Sequence, residues 1–231
     1  MKNKKINNYN LYYDKEIYLK YFQDVIDNKF ETLKILKDTS RSLVKFIKFK
    51  DGFTCLYKEP REKNKRKWQK FIGIFRGSEA KRNFKSLEKI ENMRIKTSSP
   101  YLAIEIKKGI IIQNSFILME YIDGKIASEA EYNLIINKLK EIHKLGILHG
   151  DSQIANFLVK DKDVYVIDSS AKNNYFGSLN SDKELIELEV DLNNSENYLL
   201  EDRKRFTYKI NKTIYILQRA FRRWKTKRRN K

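Results

Sequence analysis

Asp151, Asn156 and Asp168 have the types and the spacing that phosphoryl transfer needs. Asp151 and Asn156 belong to the run His149-Gly150-Asp151-Ser152-Gln153-Ile154-Ala155-Asn156, and Asp168 closes Val164-Tyr165-Val166-Ile167. In such a reaction negative charge spreads over the travelling group, so the protein must supply metal ligands and a group that aligns the attacking hydroxyl. Asp151 is the candidate to accept a hydrogen bond from that hydroxyl. Asn156 sits five residues later, where one loop turns it back toward a magnesium ion. Val164 to Ile167 reads as a buried strand that delivers Asp168 at its end, to bridge magnesium to the β and γ phosphates of ATP. Singly, a His-Gly-Asp triplet is a surface turn and an Asp merely ends a strand. The joint spacing is specific, and it makes the chain a candidate ATP-dependent kinase.

Other elements must position these groups. Leu139 to Leu145 read as the end of a helix stopped by Gly146, with Ile147-Leu148 as an apolar entry to the loop. Alternating apolar residues predict strands over Phe30 to Leu36, Leu43 to Phe49 and Phe53 to Tyr57, the last two joined at Asp51-Gly52. Ser78 is placed to cap a helix running to about Arg94. Tyr101 to Ile106 and Ile110 to Tyr121 are two further predicted strands, Ile122-Asp123-Gly124 breaks the pattern, and Ala127 to Leu145 has helical spacing. The expectation is an α+β, bilobal, protein-kinase-like fold in one domain. Its small antiparallel N-lobe, with one main helix, covers about 1–120, a connector follows at 121–124, and a mostly helical C-lobe covers about 125–208.

Lys58, ending the third predicted strand, is the candidate cation for the α and β phosphates. Glu79 is the candidate carboxylate that orients Lys58, with Glu88 and Glu91 as alternatives on the same helix. Glu120 to Ile122 would offer backbone groups to adenine. No Gly-x-Gly-x-x-Gly is present, so the turn Lys37-Asp38-Thr39-Ser40-Arg41 would have to cover the phosphates with backbone and hydroxyl groups. His143 and His149 read as structural.

The net charge of +19 over 231 residues suits anionic lipid, nucleic acid or a phosphorylated substrate. Cys55 is the sole cysteine, which excludes an internal disulfide and a cysteine zinc site and fits a reducing compartment. The basic N-terminus lacks a signal-peptide core, and no run approaches the roughly 18 apolar residues of a membrane span, so the chain is expected to be soluble or at most peripheral. Two basic segments stand out. Arg61 to Lys70 carries six cations and one acid, and 209–231 carries ten Lys or Arg and no acid. Within the latter, Ile210, Ile214, Leu217, Phe221 and Trp224 form one stripe of a basic amphipathic helix. That stripe is expected to dock inward on the C-lobe, leaving Arg222, Arg223, Lys225, Lys227, Arg228 and Arg229 for an anionic leaflet, at about 1 kcal/mol each.

From about residue 9 to 231 the sequence resembles the lipopolysaccharide core heptose(II) kinase family of the protein-kinase-like superfamily. The resemblance is carried by Phe53-Thr54-Cys55-Leu56-Tyr57-Lys58 with its basic continuation, Ala103-Ile104-Glu105-Ile106 and Met119-Glu120-Tyr121-Ile122-Asp123-Gly124. His149-Gly150-Asp151, Asn156-Phe157, Ile167-Asp168 and the basic C-terminus complete it. It implies ATP and Mg2+, transfer of the γ-phosphoryl group to a heptose hydroxyl of the inner core, and a cytoplasmic, peripheral location at the inner face of the inner membrane. It also implies Asp151 as catalytic aspartate, Asn156 and Asp168 as metal ligands, and Lys58 as the phosphate lysine. Three departures are visible. Glu79 does not align cleanly, the family's Asp-Leu-Glu appears as Glu187-Leu188-Glu189, and Asp168-Ser169-Ser170 replaces Asp-Phe-Gly, which argues against an activation-loop switch. The alternatives are a small atypical kinase of the tRNA-modification type, which RNA binding would favour, and a kinase-fold scaffold without activity. A plain nucleic-acid binder leaves the catalytic constellation unexplained.

Overall fold

A computed structural model describes residues 1–61, 77–192 and 199–229. Its contacts form two compact units, Met1–Gly124 with Tyr165–Asp168, and Lys125–Val164 with Ser169–Lys231.

The first unit is built on a seven-stranded antiparallel sheet in the order β1-β2-β6-β7-β5-β4-β3. The five strands expected from alternation are β3 (Glu31–Asp38), β4 (Ser42–Lys48), β5 (Thr54–Pro60), β6 (Pro100–Lys108) and β7 (Ile111–Met119). Two more precede them, β1 (Lys2–Ile6) and β2 (Tyr9–Tyr13). β1 is almost wholly exposed, so it carries no buried face for alternation to reveal. β2 pairs with β6 in the register Tyr9↔Ile106 to Tyr13↔Leu102, a partner far along the chain. The Asp51-Gly52 turn forms as expected, with Gly52 at φ 87° and the Asp51 carboxylate accepting the Phe53 N–H at 3.1 Å.

Alternation along β2, β6 and β7 sorts their side chains onto two faces. Leu11, Leu102, Ile104 and Leu118 join an aromatic cluster with α1 (Phe22–Ile26), in which Tyr21 and Phe53 stack at 4.7 Å. Tyr12, Ala103, Ile117 and Met119 lie on the other face, under α2 (Glu79–Asn92). That helix buries Ala80, Phe84, Leu87 and Ile90, one residue per turn. Phe84, Leu87 and Ile90 each contribute roughly 1.5–3 kcal/mol by leaving water. Ser78 caps α2 by accepting the Lys81 N–H at 3.0 Å, and beneath it the buried Glu105 carboxylate receives the Ser78 N–H at 2.7 Å and the Tyr12 hydroxyl at 3.0 Å. Burial pushes the Glu105 pKa up, but these donors and Asn10 hold it below the usual carboxylate range.

The second unit is mostly helical, with short strands β8 (Lys125–Ile126), β9 (Ile147–Leu148), β10 (Phe157–Lys160) and β12 (Lys172–Asn173). β11 (Asp163–Val166) leaves this unit at Val164. α3 (Tyr132–Lys144) starts later than its spacing suggests, because a capping box between Ser128 and Glu131 first winds a 3-10 turn. α4 (Ser178–Asp191), α5 (Leu200–Lys204) and α6 (Phe206–Arg229) follow.

Buried carboxylates of α4 clasp α6. Glu189 accepts from Tyr208 at 2.7 Å and pairs with Lys212 and with Arg203 of α5, and Asp182 receives Thr207 and Arg205. Because this polar face is the one that packs, the apolar stripe does not dock inward as expected. Ile210, Ile214, Leu217, Phe221 and Trp224 are 37–64% exposed. Of the basic residues assigned to the leaflet, Arg222, Arg223, Lys225, Lys227, Arg228 and Arg229 have side chains outside the described residues, as does all of the Arg61–Lys70 run except Arg61.

Burial raises the Glu189 pKa, while Lys212, Tyr208 and Arg203 outweigh it and leave the group below its ordinary value. Its stabilisation is therefore complete above the unfolded carboxylate pKa of about 4.3 and is lost as pH falls through the lower folded value. Glu189→Gln is expected to cost roughly 1.5–3 kcal/mol at neutral pH and to flatten the acid limb of a plot of Tm against pH; identical limbs in variant and wild type would contradict the clasp.

Candidate active site

In the first unit, Lys58 and Asp168 come together. Lys58 lies on β5, flanked by β4 and β7, where Val44 and Ile117 are its register partners, and its side chain is 12% exposed. Tyr165–Asp168 is held against the same unit by the Val166 N–H on the Lys96 carbonyl at 2.9 Å and by the Thr97 hydroxyl on the Val166 carbonyl at 2.6 Å. Asp168 then turns at φ 53° and accepts from the Lys58 ammonium at 2.6 Å. The pair joins the lysine and the aspartate that the sequence singles out for phosphate and metal.

In the second unit, a single buried side chain that the sequence reading passed over fixes the loop. Glu184 of α4 accepts the His149 N–H at 2.9 Å with one carboxylate oxygen and the Gly150 N–H at 2.6 Å with the other. His143 Nε2 lies 2.9 Å from it, and the Ser152 hydroxyl donates to the Glu184 carbonyl at 2.9 Å. Burial raises the Glu184 pKa, but the His143, Gly150 and His149 donors outweigh it and keep the carboxylate ionised more readily than usual. From the other side, the His149 carbonyl accepts the Ser170 N–H at 2.8 Å and the Ser169 and Ser170 hydroxyls at 2.9 and 3.2 Å. The two serines that stand where Phe-Gly would follow Asp168 thus brace the loop.

His149 is fully buried, and its Nδ1 accepts the Asp151 N–H at 3.3 Å, which puts the ring proton on Nε2. Both histidines are therefore structural, as read from the sequence, His149 within the loop and His143 through its contact with Glu184. Asn156 Nδ2 donates to the Asp151 carbonyl at 2.9 Å. Asp168 is exposed and Asn156 half-buried, and each carries a side-chain oxygen of the hard kind that magnesium takes. Among the described residues no group of three or more His, Cys, Asp or Glu forms a protein-only metal cage.

The remaining expectations have definite positions. Glu79 opens α2 in its first turn, and the carboxylate paired with Lys58 is that of Asp168. Glu88 pairs with the N-terminal ammonium, and Glu91 accepts from Ser99 at 2.7 Å. Glu120 uses its N–H on the Ser99 carbonyl at 2.9 Å, and its own carbonyl accepts from Ser98. Ile122 is buried and its backbone makes no hydrogen bond among the described residues. In the β3–β4 turn, Thr39 Oγ1 accepts from Ser42 N–H at 3.2 Å, and Arg61 reaches Asp38 at 2.6 Å.

A model of the lipopolysaccharide core biosynthesis protein (WaaY) family matches residues 1–199. The chain belongs to the WaaY family. The lipopolysaccharide core heptose(II) kinase WaaY of Escherichia coli K12 is 25% identical over 162 residues, covering 67% of this chain and 69% of that protein. A probable bifunctional tRNA threonylcarbamoyladenosine biosynthesis protein of Methanocaldococcus jannaschii is 37% identical over 95 residues, 35% of this chain and 18% of that protein. The solved structure of WaaP in complex with acyl carrier protein aligns at TM-score 0.57 and 13% identity, covering 94% of this chain and 97% of that one. The chain thus has the α+β, kinase-like fold expected from its sequence.

Gly150 has φ 89°, and a Cβ there would lie 1.9 Å from Ser170 Oγ. Gly150→Ala is expected to cost roughly 1–3 kcal/mol in backbone strain alone and to displace Asp151. Full turnover with an unshifted Tm in that variant would show that the loop geometry is not required.

Proposed function

We propose that this WaaY-family chain is an ATP-dependent kinase that transfers the γ-phosphoryl group to a heptose hydroxyl of the lipopolysaccharide inner core. The observation that carries the reading is the loop bearing Asp151, braced from one side by Glu184 and from the other by Ser169 and Ser170. A group that must align one hydroxyl within hydrogen-bond reach needs such a fixed backbone.

In this reading Lys58 neutralises the nucleotide phosphates, and Asn156 and Asp168 hold Mg2+. When bound, the cation draws charge from the β and γ oxygens. Asp151 accepts the hydroxyl proton as the sugar oxygen bonds to the γ phosphorus, the bond from that phosphorus to the β-γ bridging oxygen breaks, and ADP leaves. Ile122 offers its backbone to adenine, and Glu120, whose carbonyl retains a second lone pair, accepts from the exocyclic amine. Glu79 remains a candidate to orient Lys58 once nucleotide has engaged Asp168.

The anionic glycolipid acceptor explains the basic chain and the form of α6. Among the described residues no helix is long and apolar enough to cross a membrane. α6 instead carries an exposed apolar stripe on a cationic helix, which suits peripheral contact with an anionic membrane at the cytoplasmic face. Paired Leu217→Ser and Phe221→Ser changes should weaken co-sedimentation with anionic vesicles, and added salt should weaken it further by screening the basic residues. Equal sedimentation of variant and wild type would leave the helix with no lipid role.

The function itself is tested with γ-labelled ATP and, in parallel, core glycolipid, tRNA and a protein mixture. Label should enter the glycolipid, fall about 10²–10⁴-fold in Asp151→Asn, and disappear in Asp168→Ala. Label confined to tRNA or protein would overturn the glycolipid assignment, and no label in any acceptor would favour a scaffold.

A further inference from the structure

A cavity of about 770 Å³ opens between α4 and α6 within the second unit, with Gly150–Gln153 of the loop in its lining. Asp151 lines it, so whatever occupies the cavity meets the residue assigned to the reacting hydroxyl. We infer that this groove is the acceptor site, and that it takes a polyhydroxylated sugar held by Glu187 of α4 and by Tyr215 and Gln218 of α6. The inference rests on the kinase reading above and names where that reaction's acceptor binds.

The lining selects the chemistry. Asp151, Glu187 and Asp191 give it three carboxylates against two cations, Lys183 and Arg219. A nucleotide polyphosphate is repelled by such a wall, whereas vicinal hydroxyls donate to carboxylates and exchange hydrogen bonds with amides. Tyr215 adds a half-buried aromatic ring whose face can cover sugar C–H groups.

The site is also rigid where it needs to be. Asp191 is fixed by the Ile154 N–H at 2.7 Å, and Asn211 by its bond to the Leu179 carbonyl at 2.7 Å. Glu187 is raised above the usual carboxylate range by burial, with Glu184 and Asp151 adding to the shift and Lys183 opposing it. That helps it to share a proton with a hydroxyl. Ile214 belongs both to the groove and to the exposed stripe that continues through Leu217 and Phe221. One helix therefore serves the sugar on one side and an apolar anchor on the next, as a glycolipid acceptor requires.

The test uses the full chain, the isolated core oligosaccharide and ATP, with Tyr215→Ala and Gln218→Ala. Gln218 is exposed and Tyr215 half-buried, so both variants should keep the wild-type Tm. The KM for oligosaccharide should rise about tenfold while the KM for ATP stays unchanged. Saturation transfer from protein to oligosaccharide should weaken in parallel. An unchanged oligosaccharide KM, or a rise in the ATP KM instead, overturns the assignment. If the wild type transfers no phosphate but shows saturation transfer that both variants lose, the groove stands as a sugar site and the kinase reading alone falls. If the wild type shows neither, both fall.

Discussion

Glu184 is a carboxylate buried in a helix, and ionising it there would be costly if nothing repaid the lost water. Repayment comes from two backbone N–H groups of the loop and from His143, so the charge stays ionised only while the loop holds its shape. Removing the carboxylate would leave two loop donors short of a partner, at roughly 1–3 kcal/mol each. The position of Asp151 therefore depends on a residue more than thirty positions downstream in sequence. Gly150 belongs to the same constraint, since its positive φ and its contact with Ser170 leave no room for a side chain.

The first unit solves a parallel problem with a different buried acid. Glu105 joins β2, β6 and the start of α2, which keeps the sheet carrying Lys58 in register. The strand β11 that leads to Asp168 is tied down at Val166 by Lys96 and Thr97, so Lys58 and Asp168 face one another as fixed neighbours. Glu189 and Asp182 repeat the device at α6. A chain of net charge +19 can afford buried carboxylates because cationic and N–H partners are abundant.

The loop that carries Asp151 and Asn156 and the short apolar strand before Asp168 were readable because both are local signals. The same holds for β3 to β7 and for the Ser78 cap, where alternation and capping chemistry are local signals. β1 and β2 were not readable, since their pairing is non-local and β1 buries nothing. The sequence reading gave Glu184 no role and met Glu189 only within Glu187-Leu188-Glu189, although both fall in phase with buried Leu185 and Leu188, which is the signal available. The stripe of α6 was visible by period, but period does not say which face a helix packs. Tyr208, Asn211 and Lys212 face α4 through polar bonds, and the apolar row stays exposed.

The central claim is that the braced loop aims Asp151 at a sugar hydroxyl, and the product's covalent linkage tests it most directly. Phosphorus–proton correlation spectroscopy on core glycolipid incubated with the full chain and ATP should show a new phosphomonoester coupled to a carbinol proton of a heptose. A phosphate ester found on another component of the glycolipid, or no new phosphomonoester at all, would contradict the account.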